Sequence, residues 1–420
     1  MGRGTPRAVR WLRGIAVDVT PLRHAAFRRL WIGHGVSFIG YQLTAVAIPV
    51  QMYQITRSSF WVGLLGIAAL VPLLVFALWG GAIADAMDRR VLLLVSSLVV
   101  WAATLALMVQ AFVGVRSPGL LLGLIAVQSV GFAVGAPTRS AIVPRLVPAG
   151  LVPAANTLNF TMASLSSVLG PLLAGVVIAR WGFAAAYAVD AVLFTVALWA
   201  AFGLPALRPL VSGAGAAGRG LRAVVDGLRF IASAPVLWLS FVVDIVAMAL
   251  AMPRALFPEV AATRFGDEAL AGWLFAAIAL GSVVGGVCSG WVGRVRRQGL
   301  ALVLAVVFWG LAVAAAWFAP SLWLMVVLLA VAGFADLVSA VYRQTIVQLY
   351  APDELRGRLQ GVFTAVVAGG PRLGDLRAGT MAVAVGPGIA WAGGGIACAV
   401  VAVALALAFP ALSRYRPKTA

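Results

Sequence analysis

Charged residues, histidine and cysteine are scarce in this sequence of 420 residues. Asp, Glu, Lys and Arg make up 10% of the chain, against about 25% in ordinary soluble domains, which excludes a soluble globular enzyme. The two cysteines, Cys288 and Cys398, and the two histidines lack the spacing of a metal site, and we expect both cysteines to be small core residues. No nucleophile triad, phosphate loop or cofactor motif is present, so we expect neither catalysis nor a cofactor.

Apolar residues dominate the chain instead. They make up 63% of the sequence, and the mean hydropathy is +1.03. The 46 glycines and 21 prolines lie within apolar runs, as membrane helices packed against one another tolerate. Abundant aliphatic and aromatic residues exclude disorder. The composition therefore predicts an all-α integral membrane protein.

Twelve apolar runs approach the length of about 20 residues that a membrane helix needs. The predicted spans are 29–53, 60–84, 91–114, 119–142, 154–178, 183–205, 235–258, 269–293, 299–318, 321–344, 356–381 and 385–409. The longest connection, 206–234, begins Gly- and Ala-rich and then alternates apolar and basic residues, as an interfacial helix does. It divides the chain into an N-terminal arm with six helices, 1–205, and six helices with a short tail, 235–420.

The net charge of +18 comes from arginines clustered between the spans. If both termini are cytoplasmic, that side carries 24 basic residues and the opposite side five, with Arg372 and Arg377 left inside the eleventh span. Arg139 and Arg343, at the ends of their spans, are counted with the cytoplasmic charges. This distribution is a topology signal rather than a nucleic-acid surface, and it predicts a multi-pass protein of the inner or plasma membrane with both ends in the cytoplasm.

The two sets of six spans resemble one another in sequence. A shift of 204 residues places Arg139 on Arg343, Pro148 on Pro352, and LGPLLAG from Leu169 on LGDLRAG. Duplicated six-helix halves are typical of transporters whose site lies between the halves near the midplane of the bilayer. The repeat therefore favours transport of a small molecule over an enzyme, a sensor or a scaffold.

The connection between the second and third spans carries a first motif. The sequence GGAIADAMDRRVLLL resembles the loop signature of the major facilitator superfamily, with Asp88 in place of its second glycine. The matching residues are Gly81, Asp85, Arg89 and Arg90. Glycine permits close helix approach, and Asp85 can accept from a basic residue or a helix N-terminus. We interpret these residues as a conformational latch; a solvated charged turn is the alternative.

A second motif lies on the fifth span. SSVLGPLLAG resembles the antiporter motif of exporters in the same superfamily, with Ser166 and Ala174 in place of two glycines. The motif residues here are Ser166, Gly170, Pro171 and Gly175. Small residues four apart allow tight helix contact, and proline bends the helix. The resemblance implies export rather than uptake.

Over nearly its full length the chain resembles the enterobactin-exporter branch of this superfamily. The resembling segments include HAAFRRLWIGHGVSFIG from His24 and APDELRGRLQGVF from Ala351. The resemblance implies a monomer of twelve membrane helices that exports a siderophore or similar small metabolite in exchange for protons, without nucleic acid as a partner. A multidrug or macrolide:proton antiporter is the alternative.

Polar residues inside membrane spans are costly and are therefore candidates for function. Tyr41 stands where relatives commonly have an acid, so the titrating acid must lie elsewhere. The candidates for proton coupling are Asp244, Asp336 and Asp375. The candidates for the substrate cavity are His34, Tyr41, Gln42, Arg254, Arg372 and Arg377. Arg372 and Asp375, three apart on one helix, are alternatively a structural ion pair. Asp190 is a further polar residue inside a span, with solvation near the outer end of that span as the alternative.

Overall fold

The chain folds into long helices joined by short turns. The structure, a computed structural model, describes residues 18–205, 229–350 and 356–415; at 77–86, 293–294, 350, 356–358, 360–362 and 364–365 it describes only the backbone. The arm 1–17, the loop 206–228 with most of the predicted interfacial helix, and residues 351–355 and 416–420 lie outside the described residues. The described residues form no β-strand.

Thirteen α-helices are numbered here in chain order, within the described residues. They are α1 Ala25–Thr56, α2 Ser59–Ala86, α3 Arg89–Val113, α4 Pro118–Leu146, α5 Val152–Phe202, α6 Pro235–Ala251, α7 Phe257–Phe265, α8 Ala271–Val287, α9 Gln298–Trp317, α10 Leu322–Tyr350, α11 Arg356–Val385, α12 Gly394–Ala408 and α13 Pro410–Ser413. We call residues 18–205 the N-terminal segment and residues from 229 onward the C-terminal segment.

Helix α5 is two antiparallel arms joined at one residue. Gly182 has φ 77° and ψ −175°, a region that is essentially restricted to glycine. Helix α1 shows the reversal: close contacts join its Gly35 to Met162 in the first arm and its Gly33 to Ala200 in the second. From the start of α1 to its end, the residues that it contacts have increasing numbers in the arm 152–181 and decreasing numbers in the arm 183–202. The fifth and sixth predicted spans thus form one hairpin.

Nine stretches of the described residues are long and apolar enough to cross a membrane. One of them, Ala149–Phe202, has 54 residues and contains the hairpin. The nine do not include α1, which carries several polar side chains, or α11, in which Arg372, Asp375 and Arg377 interrupt the apolar sequence. Fewer apolar stretches are therefore recognised than the twelve spans predicted.

Two predicted spans contain breaks. The predicted span 235–258 ends as a helix at Ala251, because Pro253 has no N–H to donate and Met252 is extended; a 3₁₀ turn, Arg254–Leu256, then leads into α7. Before α12, Gly386 has φ 89° and residues Ile389–Gly393 form a π-helical turn. These breaks place side chains where a straight helix would not.

Two sequence expectations about individual residues were wrong, and one alternative is excluded. Cys398 is buried as predicted, but Cys288 is exposed at the end of α8. Arg139 and Arg343, counted with the cytoplasmic charges, lie inside α4 and α10, and Arg343 is only 3% exposed. Asp190 is 1% exposed, which excludes the alternative of a solvated side chain. Membrane proteins bury charges of this kind where other polar groups satisfy them.

Candidate functional site

A central cavity of about 500 Å³ lies between the two segments. Helices α1, α2 and α4 contribute one side of its lining, and α6, α8, α10, α11 and the turn after α6 contribute the other. The volume lies within the range of about 300–1,000 Å³ that small-molecule pockets occupy. The cavity is therefore the candidate binding site.

All six charged residues of the described cavity lining come from the C-terminal segment. They are Asp244, Arg254, Asp336, Arg343, Arg372 and Asp375. The polar residues that the N-terminal segment contributes are uncharged: Tyr41, Gln42, Thr44, Gln128 and Ser129. Three carboxylates and three guanidinium groups thus share one side of the cavity. The site combines a strongly polar half with a neutral half.

Asp244 and Arg343 form a buried ion pair between α6 and α10. Arg343 Nη1 donates to Asp244 Oδ1, and the two side chains are 2% and 4% exposed respectively. The guanidinium carbon lies 5.6 Å from the centre of the Phe363 ring. Asp244 Oδ2 and Arg343 Nε have no hydrogen-bond partner among the described residues. One hydrogen bond therefore holds the pair, and each partner keeps one polar atom that can bind a further group.

The predicted ion pair between Arg372 and Asp375 is absent from the described part of the chain. Arg372 Nη1 instead donates to the Ala368 carbonyl at 2.7 Å, one turn back along α11. Asp375 lies near the guanidinium groups of Arg254 and Arg372, and its buried Oδ1 has no hydrogen-bond partner. Three-residue spacing places both side chains on one helix face, but Arg372 donates to a carbonyl of its own helix, and no hydrogen bond joins the two side chains in the described part of the chain.

Arg377 lies outside the cavity lining. Its Nε donates to the Ala249 carbonyl at 3.1 Å and its Nη1 to the Ala390 carbonyl at 2.7 Å. The first carbonyl belongs to the last turn of α6 and the second to the π-helical turn before α12. Both positions leave backbone acceptors without helical partners. Arg377 therefore joins three helices at points where their backbones are irregular.

Tyr41 belongs to a row of aromatic rings in the N-terminal segment. Its ring centre lies 5.8 Å from that of Phe38 and 5.3 Å from that of Phe132, with the planes nearly parallel. His34 lies 5.4 Å from Phe38. Tyr41 and Gln42 line the central cavity, whereas His34 lines a smaller side cleft of about 30 Å³ that Tyr41 also borders.

Asp190 is a buried acid that the sequence analysis did not select as a site residue. Its Oδ2 accepts from the Thr44 hydroxyl at 2.6 Å, and its Oδ1 has no partner among the described residues. Thr44 itself lines the central cavity. The Thr44 side chain therefore lies between Asp190 and the cavity. Its position in a predicted span marked it as a polar candidate, but nothing in the sequence gave it a partner or a role.

The antiporter-like motif packs α5 against two other helices. Its Gly170 lies against α1, and a Cβ added there would lie 2.9 Å from the Ile39 carbonyl oxygen. The Pro171 carbonyl lies against Gly272 of α8, and a Cβ added at Gly175 would lie 2.8 Å from the Ala269 carbonyl oxygen. Ser166 is fully buried and donates within its own helix at 2.8 Å. Small residues therefore bring the two segments into backbone contact.

The loop signature is described in part. Gly81 and Asp85 lie in the last turns of α2, where the side chains are outside the described residues. Arg89 Nη1 donates to the Ala141 carbonyl of α4 at 3.1 Å, and Arg90 Nη2 donates to the Phe202 carbonyl at the end of α5 at 2.7 Å. Both arginines thus tie the start of α3 to neighbouring helices of the N-terminal segment.

The two segments also meet where α1 ends and α2 begins. Arg57 Nη1 and Glu268 Oε1 form an ion pair at 2.6 Å, and the Ser59 hydroxyl donates to Glu259. Further along, a Cβ added at Gly63 would lie 2.5 Å from the Asp375 carbonyl oxygen. Helices α2 and α11 are therefore in close contact. These contacts lie at the end of the molecule that the charge distribution predicts to be outside.

Comparison with known proteins identifies relatives that cover nearly the whole chain. Residues 16–418 match the family described as transmembrane secretion effectors. The enterobactin exporter EntS of Citrobacter koseri is 29% identical over 413 residues, which cover 97% of this chain and 96% of that protein. EntS of Escherichia coli O157:H7 is 28% identical over the same share of both chains.

Solved structures of transporters have the same fold. The nucleoside transporter NupG gives a TM-score of 0.73 at 14% identity, covering 93% of this chain and all of NupG. A bacterial homologue of the human lysosomal transporter Spinster, in an inward-facing and unoccupied conformation, gives 0.69 at 18% identity, covering 95% of this chain and all of that one. Fold, cavity and family match agree: the chain belongs to the transmembrane secretion effectors of the major facilitator superfamily, multi-pass membrane transport proteins that are not enzymes.

Proposed function

We propose that the protein exports a siderophore or a similar small metabolite from the cytoplasm, by alternating access and in exchange for protons. The observation that carries the proposal is the central cavity, where three guanidinium groups and three carboxylates face a side whose polar residues are uncharged. The similarity to enterobactin exporters over 97% of the chain supports a siderophore as the cargo.

The proposed architecture has twelve membrane helices in two repeated halves, 1–205 and 235–420, joined by the cytoplasmic loop 206–234. Helix α5 supplies two of these helices, and α1 and α11 supply two that are less apolar than the rest. Both termini lie in the cytoplasm, as the excess of arginine on that side favours. The protein works as a monomer, because the cavity is built from the two segments of one chain.

Alternating access needs contacts that form on one side of the bilayer and open on the other. The contacts of α2 with α11 and of α5 with α8 support a conformation closed at the outer end. The antiporter-like motif holds this closure through Gly175 and Pro171. At the cytoplasmic end, the loop signature with Gly81 and Asp85 acts as the latch of the opposite conformation. Cargo then enters the cavity from the cytoplasm.

Proton coupling is proposed to use the carboxylates of the cavity lining. Asp244 is the leading candidate, because it is paired with Arg343 and has a second oxygen without a partner. Protonation of Asp244 would neutralise the carboxylate and release Arg343 to other groups in the cavity. Asp336 and Asp375 line the same space and are the alternative carriers.

The arginines of the cavity favour an anionic or catecholate-like cargo. Arg254 follows the break after α6, and Arg372 lies on α11; both line the cavity, and neither forms an ion pair with a described residue. Guanidinium groups bind such oxygens through two parallel hydrogen bonds. Arg377 is proposed instead to stabilise the helix breaks, because backbone carbonyls occupy its donors.

A drug exporter remains the second candidate, and one observation favours it. The cavity lining also contains Met248, Met252, Phe275 and Ile278. Methionine side chains adapt to ligands of different shape, and such surfaces suit promiscuous binding. A cargo without acidic groups would then be bound mainly by this apolar part.

The experiment that tests the proposal measures flux in proteoliposomes with an imposed pH gradient. We expect gradient-driven transport of a catecholate siderophore that is lost in Asp244→Asn and retained in Asp18→Asn, an exposed acid outside the helices. In cells lacking the protein, the siderophore should accumulate while drug susceptibility stays unchanged. Increased drug susceptibility without siderophore accumulation would overturn the siderophore assignment in favour of drug export.

A further inference from the structure

Asp190 is a buried acid without a counter-charge among the described residues. It forms no ion pair there, and its Oδ1 has no hydrogen-bond partner. It follows Gly182 by eight residues in the second arm of α5, which corresponds to about 12 Å of helix rise, well inside a hydrocarbon layer about 30 Å thick. A lone carboxylate at such a depth is costly. Binding a proton removes its charge.

The side chains around Asp190 are neutral. The titratable groups near it are two phenols, Tyr41 on α1 and Tyr187 on its own helix. From α3 it is approached by Thr104, which carries no charge. Phenols keep their protons far above the pH at which carboxyl groups ionise. Asp190 is therefore the member of this group whose charge changes when a carboxyl group titrates.

The packing around Oδ1 suits a proton rather than a metal ion. Gly40 of α1 packs against Asp190 Oδ1 so closely that a Cβ added there would overlap the oxygen. Neither Asp190 nor Thr104 lines the central cavity or the side cleft. Hard metal ions need space and several oxygen ligands, whereas a proton needs neither. The position of Asp190 therefore favours proton binding.

One hydroxyl group joins Asp190 to the cavity. Gln128 of α4, which also lines the cavity, donates to Thr104 Oγ1 at 2.9 Å. The Thr104 hydroxyl itself donates to the Val100 carbonyl at 3.1 Å, so its hydrogen is already used within α3. Thr44 instead donates to Asp190 Oδ2 at 2.6 Å and lines the cavity. The route for a proton between the cavity and Asp190 therefore runs through Thr44.

The direction of the hydrogen bond between Thr44 and Asp190 depends on the proton. An ionised carboxylate only accepts, so Thr44 must donate to it and has only lone pairs left for other groups. A protonated Asp190 can donate from Oδ2 to the Thr44 oxygen, whereas a proton on Oδ1 would have no acceptor among the described residues. The hydroxyl hydrogen of Thr44 is then released for a group in the cavity. Thr44 thus offers an acceptor in one state and a donor in the other.

We infer that Asp190 is a proton-binding site of the N-terminal segment and that Thr44 transmits its protonation state to the cargo cavity. The inference rests on the proposed exchange of cargo for protons. It adds an acid to the segment whose polar side of the cavity is uncharged. Each segment then has its own proton-binding carboxyl group, Asp190 in one and the proposed Asp244 in the other.

Infrared difference spectroscopy of the full-length protein in liposomes tests proton binding at Asp190. A protonated carboxyl group has a carbonyl band that an ionised carboxylate lacks. Spectra recorded at low and high pH should therefore differ by such a band, and Asp190→Asn should lose one component of it. Asp18→Asn, which removes an exposed acid outside the helices, should retain that component. Replacement of potassium by sodium should leave it unchanged.

A second variant tests the role of the hydroxyl group. Thr44→Val keeps the shape of the side chain, so the Asp190 component should remain. It should move to higher frequency, because a hydrogen bond to a carboxyl group lowers its carbonyl frequency. Thr56→Val, on the same helix but outside the cavity lining, should leave the component in place. Asp190→Asn can still accept from Thr44, so it should melt no lower than the wild-type protein.

Flux in proteoliposomes separates proton binding from coupling. Asp190→Asn should lose the flux of a catecholate siderophore driven by a pH gradient, but keep the exchange of labelled for unlabelled siderophore at equal concentrations. A missing Asp190 component, or one that sodium removes, would overturn the proton site, and unchanged gradient-driven flux in Asp190→Asn would overturn its coupling role. The infrared measurement needs no cargo, so failure of the proton site is distinguishable from failure of siderophore transport.

Discussion

Breaking the Asp244–Arg343 pair should destabilise the protein more when one partner is removed than when both are. Removing one partner of a buried ion pair costs about 3–5 kcal/mol, whereas replacing both is often neutral. Both side chains are at most 4% exposed, but they border the cavity, where water can solvate the remaining charge. We therefore expect about 3 kcal/mol for Asp244→Ala, the lower end of that range.

The change corresponds to a measurable shift in melting temperature. At roughly 2 °C per kcal/mol for a chain of this size, Asp244→Ala should lower Tm by about 6 °C. Asp244→Ala combined with Arg343→Met should recover most of this loss, because no buried charge is left without a partner.

The two cysteines provide the assay for this stability difference. Cys398 is fully buried in α12, whereas Cys288 is exposed. In a Cys288→Ser background, a thiol-reactive dye therefore reports unfolding through Cys398 alone. Equal losses of Tm in the single and double variants would refute the reasoning, since the cost would then come from lost packing rather than from an unpaired guanidinium.

Three further predictions concern contacts outside this pair. Asp85→Asn should lower export while membrane insertion and cargo affinity stay unchanged, because a latch biases a conformational equilibrium; normal flux would contradict the latch. Gly272→Val should separate α8 from α5, since an added Cβ would lie 2.5 Å from the Pro171 carbonyl oxygen, and labelling from outside of a cysteine introduced into the cavity lining by Ser129→Cys should rise severalfold. Arg57→Gln should lower Tm by less than about 2 °C, because an exposed ion pair such as that with Glu268 contributes about 0.2–1 kcal/mol; a larger drop would contradict a surface role.

The helices were predictable from the sequence because membrane spans must satisfy their backbone internally and bury apolar side chains. The positions of most breaks were not. Pro253 ends α6 within a predicted span, and hydropathy does not register a proline flanked by apolar residues. The number of recognised apolar stretches is smaller than the number of predicted spans for a related reason. The charges of α11 are tolerated because other helices surround them, and a window of sequence does not include those helices.

The central cavity collects most of the residues selected from the sequence, because a polar residue inside a span is costly unless it faces other polar groups. The partners were harder to predict. Arg343 was assigned to the cytoplasm from its position near a span end, whereas the structure pairs it with the mid-span acid Asp244. Spacing suggested that Arg372 meets Asp375, but spacing does not determine the rotamers that direct Arg372 to Ala368.

The reversal at Gly182 has a consequence for biogenesis. Two membrane-length arms joined at a single non-helical residue leave almost no loop to be translocated separately, so we expect them to enter the bilayer together as a helical hairpin. A side chain at this position would be strained, because the backbone adopts φ 77°. Epitopes and reporter domains inserted between the arms would force them apart, whereas the exposed turn around Arg116 leaves room for an insertion. Topology mapping of this protein is therefore better directed to the turn between α3 and α4.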